Sequence, residues 1–175
     1  MKKKLIVFLI LATLMLSPTV LAKPKKAIKC THEILFNGVI WYGTVTFPNE
    51  AEYYLVWTID PDPDFVGHKK SPVFPLGKVE KFYEWWALYL DEGDYDPLNP
   101  EDGVLASGWD KGVFDADSWK YVMNGQVDYV DPIGELAYLE GARVHASGVA
   151  TPLTDGPPFF EGEGIFTFSG YAGQD

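Results

Sequence analysis

Glu52-Tyr53-Tyr54-Leu55-Val56-Trp57-Thr58-Ile59 decides the fold class. In an extended chain Tyr53, Leu55, Trp57 and Ile59 fall on one side, and Glu52, Tyr54, Val56 and Thr58 on the other. A period of two, rich in β-branched and aromatic residues, marks a strand with one face in a core. Trp119–Val130 repeats the pattern. There Trp119, Tyr121, Met123, Val127 and Tyr129 share one face, and Lys120, Asn124, Gln126 and Asp128 share the other. Alternation with one polar face predicts antiparallel strands.

Working outward, Val39–Phe47, Arg143–Thr151 and Phe159–Gly170 behave alike. Lys78–Leu90 is ambiguous, because Val79, Phe82, Tyr83, Trp86 and Leu90 also fit a helical stripe. Its aromatic richness and its neighbours favour a strand. Turn-forming residues recur at Asn37-Gly38, Pro48-Asn49, Pro61–Pro63, Pro72–Gly77, Asp91–Gly103, Gly108–Gly112, Pro132–Gly134, Thr151–Pro158 and Gly162–Gly164. Lys111-Gly112-Val113-Phe114-Asp115 echoes Glu163-Gly164-Ile165-Phe166-Thr167, which reads as reused hairpin chemistry. The predicted fold is all-β: a single-domain antiparallel β-barrel of about eight strands, with a two-sheet β-sandwich as the alternative. Such a barrel either holds one small ligand or fills its own interior. The outline is similar to small secreted barrels such as lipocalins and dirigent-like proteins. The Gly-x-Trp of lipocalins is not present, since Gly38 and Trp41 are three apart.

The ends of the 175-residue chain divide it further. Met1–Lys4 is basic, Leu5–Leu16 is apolar and too short to span a bilayer, and Val20-Leu21-Ala22 completes a cleavage pattern. Residues 1–22 therefore read as a secretory signal peptide and the protein as secreted or extracytoplasmic, in the cell envelope. Residues 23–29, with Lys23, Lys25, Lys26 and Lys29, form a basic arm; residues 30–171 form the barrel domain and 172–175 a polar tail. No stable membrane insertion is expected after cleavage.

Hydrophobic residues make up 47% and charged residues 22%, which excludes a disordered or coiled-coil chain. Asp and Glu number 25 against 14 Lys and Arg, for a net charge of −11. A field of that sign disfavours nucleic acid. The one cysteine, Cys30, excludes an internal disulfide framework; it is either a buried small hydrophobe or a free thiol able to link a homodimer.

Four constellations bear on chemistry. The six tryptophans are in excess of what a core of this size needs. On a strand Trp85 and Trp86 face opposite sides, one inward and one on a sheet face, where it serves as a sugar-stacking platform or a subunit contact. Trp57, Trp85 and Trp86, with Arg143 and His145, are the candidate ligand-binding residues. Arg143, His145 and Ser147 alternate, so they share one strand face. They form either a polar pocket floor, with Arg143 holding an anion and His145 as an acid–base group, or an outward face above inward-packed small residues. Asp91, Asp94, Asp96 and Asp102 crowd one acidic loop with oxygens enough for calcium, though turns use the same residues. Acid pairs such as Glu80 and Glu84, or Glu161 and Glu163, lie on common faces and arise by chance in so acidic a chain. His32, His68 and His145 show no metal-binding spacing.

These features point to a secreted acidic binding module for a small amphipathic molecule or glycan, with no catalysis assigned. The alternatives are an envelope-associated interaction protein that assembles through Cys30 or a Trp face, and a small barrel enzyme using Arg143 and His145.

Overall fold

A computed structural model describes residues 26–59, 79–115, 117–154 and 156–171. The segment read as a signal peptide, most of the stretch read as a basic arm, the turns expected at Pro61–Pro63 and Pro72–Gly77 and the stretch read as a polar tail lie outside the described residues. The described residues form eight strands: β1 (Ile28–Phe36), β2 (Ile40–Thr46), β3 (Glu52–Ile59), β4 (Val79–Tyr89), β5 (Ala106–Asp115), β6 (Lys120–Val130), β7 (Arg143–Pro152) and β8 (Phe160–Ser169). Each pairs antiparallel with its sequence neighbour, and β8 pairs with β1 to close a barrel. Closure leaves no free sheet edge and settles the choice against a sandwich. The ambiguous 78–90 stretch is a strand, as its aromatics predict. β1 begins at Ile28, inside the stretch read as the basic arm.

Period two carries through the interior. Cys30, His32 and Ile34 point inward from β1, Tyr53, Leu55 and Trp57 from β3, and Glu84, Trp86 and Leu88 from β4. One end, here called the lower, is plugged by Phe47, Tyr53 and Phe168 together with Leu136 and Leu139 from the turn after β6. At the upper end Phe36, Trp41, Phe160, Trp119 and Phe114 form a chain of ring contacts at 5.0–6.3 Å. Outside the barrel, Val56, Ala87, Tyr89 and Val104 form a second buried cluster beneath the loop that joins β4 to β5. The Tyr89 hydroxyl donates to the Pro100 carbonyl and ties that loop down.

Two sequence expectations need correction. Gly108–Gly112 and Gly162–Gly164 are not turns; they lie within β5 and β8. These glycines face inward opposite large side chains: Gly108 pairs with Trp86, Gly112 with Phe82 and Gly162 with Ile34. A Cβ on Gly112 would lie 2.0 Å from the Phe82 ring, and one on Gly162 would lie 2.9 Å from Ile34. At these positions the narrow barrel makes room for a bulky side chain by leaving the facing residue without one. The echo between the Lys111 and Glu163 segments is therefore an inward Gly-x-Phe on two strands. Secondly, Tyr129 does not share a face with Val127. A bulge pairs Gly108 with Val127 but Ser107 with Tyr129, and Tyr129 turns outward, 49% exposed.

Candidate functional site

Between the lower plug and the upper aromatic ring sits a sealed polar cluster. Glu84 on β4 and Asp110 on β5 are direct cross-strand partners, and both are buried. The Trp86 indole N–H donates to Asp110 Oδ1 at 3.1 Å. On the other side of the barrel, His32 Nε2 and the Tyr121 hydroxyl share a hydrogen bond of 2.5 Å, also buried. Aromatic faces join the two pairs. Trp57 stands edge-on to His32 at 5.5 Å and to Tyr121 at 6.3 Å. Phe166 lies 5.8 Å from Trp57 and 5.5 Å from Trp86.

The local sequence builds three of the polar positions in one way. Asp110 faces Gly125, Tyr121 faces Gly148 and His32 faces Gly164 across the ladder. A Cβ would come within 1.9 Å of Asp110 Oδ1 at Gly125, 2.3 Å of the Tyr121 hydroxyl at Gly148 and 2.9 Å of His32 Cε1 at Gly164. Each of these three side chains thus lies over a glycine on the neighbouring strand.

Four polar atoms of this cluster are buried without a hydrogen-bond partner: His32 Nδ1, Trp57 Nε1, Glu84 Oε2 and Asp110 Oδ2. Buried polar atoms are almost always paired, and each orphan costs about 1–3 kcal/mol. Burial sets the charge state. It pushes Glu84 up to about 8, with Asp110 adding to the effect. It pushes Asp110 up to about 7, against the pull of the Trp86 hydrogen bond and with help from Asp128. Burial lowers His32 to about 4, so the imidazole is neutral at physiological pH, and it raises the Tyr121 phenol. The bases whose side chains are described, Lys26, Lys29, Lys111, Lys120 and Arg143, are all exposed.

The structure brings together two of the ligand-binding residues expected from sequence and separates the rest. Trp57 and Trp86 are buried in the interior cluster. Trp85 faces outward, as the alternation requires, opposite Trp109, which is 49% exposed. Arg143 and His145 are exposed on the outer face of β7, where His145 Nδ1 bonds Asn124 Oδ1 at 2.9 Å. The pocket floor offered for them is absent from that strand: the inward positions are Val144, Ala146, Gly148 and Ala150. Small residues face in because Tyr121, Met123 and Phe166 occupy the space beside them. In the acidic loop, Asp91 caps the short 3-10 turn Glu92–Asp94 in a reciprocal capping box with Asp94. Asp96 Oδ1 and Oδ2 accept from the Leu98 N–H and the Asn99 amide. These carboxylates serve their own turns. Among the described residues no group of three His, Cys, Asp or Glu is placed to hold a metal ion, and Asp102 joins no such set.

The sequence places Glu80 and Glu84 on one face of a strand without weight as a pair, and β4 keeps that order, but Glu84's cross-strand partner is Asp110; sequence reasoning did not single out Asp110, Tyr121 or the interior role of His32. A signal for Asp110 was present: Gly108-x-Asp110-x-Gly112 puts a carboxylate between two glycines on one strand face.

A concavity of about 810 Å³ crosses the outer face of β1, β2 and β8. Its acids are Glu33, Glu52, Asp91, Glu92, Glu161 and Glu163, with Tyr42 and Tyr54 beside them. Comparison with known protein families, curated proteins and solved structures finds no match.

Proposed function

We propose that the protein is a secreted acidic binding module that takes a small amphipathic molecule into its barrel. The observation that carries this reading is the set of four orphaned polar atoms in the interior, among aromatic rings. A ligand with a polar group and an apolar body would satisfy the orphans and lie against Trp57, Trp86 and Phe166. The upper aromatic ring is the entry, because the opposite end is plugged by Leu136, Leu139 and Phe168. The cluster is sealed, so entry requires that ring to part and association is slow. The outer strand faces carry Lys29, Glu33, Lys120, Asp128, Arg143, Glu161 and Glu163, which supports an aqueous setting over a lipid-facing band.

Native mass spectrometry of protein purified from its own secretory route tests the reading. A mass excess of a small organic molecule is expected, together with a change in Trp fluorescence on its removal that Trp57→Phe abolishes. A bare polypeptide mass, with no Trp57-dependent response to any amphiphile, would overturn it. The outer pair Trp85 and Trp109 supports a second reading, a sheet-face platform for a glycan. Loss of glycan-array binding in Trp109→Ala, with the interior response intact, would assign glycans to that face.

A further inference from the structure

We propose that the interior ligand carries an organic ammonium group and that Glu84 and Asp110 are its counter-ions. This rests on reading the barrel interior as the binding site. Two carboxylates stand side by side on β4 and β5, and each keeps a buried oxygen, Glu84 Oε2 and Asp110 Oδ2, with no partner. The exposed Lys26, Lys29, Lys111, Lys120 and Arg143 leave the described interior without a lysine or arginine to balance them. Two carboxylates side by side without a cation repel each other unless a proton or a positive ligand intervenes.

The walls select the kind of cation. Two carboxylates are too few for calcium, which takes six to eight oxygens, and the described residues add no third acid or histidine in position. Trp86 bonds Asp110, its ring meets Phe166, and Phe166 and Tyr121 meet Trp57 in turn, so the interior around the pair is aromatic. Aromatic faces attract alkylated ammonium groups, which are weakly hydrated and enter apolar surroundings at lower cost than a hydrated metal ion. An independent observation completes the head group. Trp57 Nε1, an obligate donor on a side chain 1% exposed, has no acceptor. An ammonium head that also carries an oxygen supplies one. The ligand is thus a cationic amphiphile whose head lies between Glu84, Asp110 and Trp57.

The test is a titration of the secreted protein with three sub-micellar probes of one chain length: the decyl ether of choline, whose ammonium head carries an ether oxygen, decyl glucoside and decyl sulfate. Calorimetry and Trp fluorescence are both recorded. The expected order is the cation tightest, by at least about tenfold over the glucoside, with the sulfate unbound. The preference should vanish in Glu84→Gln and in Asp110→Asn and survive in the outer-groove double variant Glu161→Gln/Glu163→Gln. Circular dichroism verifies folding, and either dyad variant alone suffices should the other fail to fold. Equal binding of cation and glucoside, with the Trp57-dependent signal present, overturns the ammonium assignment and leaves the interior reading standing. A cation preference lost only in the outer-groove variant places binding outside the barrel and overturns the assignment. Absence of a Trp57-dependent signal with all three probes overturns both.

Discussion

Glu84 and Asp110 face each other across the β4–β5 ladder inside a closed barrel; the Trp86 indole donates to Asp110 Oδ1, while Glu84 Oε2 and Asp110 Oδ2 are buried with no partner among the described residues. Such a pair is kept at a cost to stability, since hydrophobic residues of like volume would pack there without orphaned atoms.

That cost has a pH signature. Glu84 and Asp110 have folded values near 8 and 7, above their ordinary 4.5 and 3.8. Their contribution is fully present below pH ~4 and is lost as pH rises through 7 to 8, because the unfolded chain ionises first. His32 runs the other way. Its folded value near 4 lies below 6.5, so stability is lost as pH falls from 6.5 towards 4. The groups around the pair are Trp86 on β4, Asp128 and Tyr121 on β6 and His32 on β1. Denaturant midpoints measured from pH 4 to 9 should therefore fall on the alkaline side for the wild type. Glu84→Gln should flatten that limb and stabilise the ligand-free protein at pH 8 by about 1–3 kcal/mol. An unchanged alkaline limb would show that Glu84 is not the titrating group.

The two buried tryptophans should respond unequally to loss of their N–H. Trp57→Phe removes an orphaned donor, so it costs only the volume change, about 1–2 kcal/mol. Trp86→Phe also strips Asp110 of its one partner and should cost about 1–3 kcal/mol more. Urea unfolding of both variants at one pH measures the difference.

The cradle glycines tolerate no side chain. In Gly125→Ala the new methyl would meet Asp110 Oδ1 at 1.9 Å and the Trp109 carbonyl at 2.3 Å. In Gly148→Ala it would meet the Glu163 carbonyl and the Tyr121 hydroxyl, each at 2.3 Å. Backbone cannot rotate away, so each should destabilise by roughly 2–4 kcal/mol. Gly156→Ala, with nothing near its Cβ but a φ of +94°, should cost about 1 kcal/mol. Thermal melts rank the three.

Cys30 should be inert in the native state. It is 1% exposed, faces the barrel interior, and burial pushes its thiol up to about 12. A thiol reagent should label it only after unfolding, and a disulfide between copies would require β1 to open. Rapid labelling of the folded protein would show that the strand opens readily.

Arg143→Ala and His145→Ala should each change stability by less than about 0.5 kcal/mol and leave interior binding unaltered. Loss of ligand binding in either would place the site on the outer face of β7.

Fold class was legible because strand periodicity is written locally. Tyr53, Leu55 and Trp57 lie inside, and Trp85 and Trp86 part to opposite faces, as alternation dictates. Where a strand held paired inward glycines, as at Gly108 and Gly112, the local rule that glycine marks a turn gave way to the volume of Trp86 and Phe82 on the next strand. The bulge that turns Tyr129 outward was equally hidden, since it depends on how β6 meets β5. By itself the sequence determined an antiparallel all-β domain and which residues alternate. Only the tertiary structure decided that the sheet closes, that Arg143 and His145 lie outside, and that Glu84 meets Asp110 while His32 meets Tyr121. Period two fixes which residues share a face, but register and closure, which join positions as distant as Ile28 and Phe168, fix which side is the interior and who stands opposite whom.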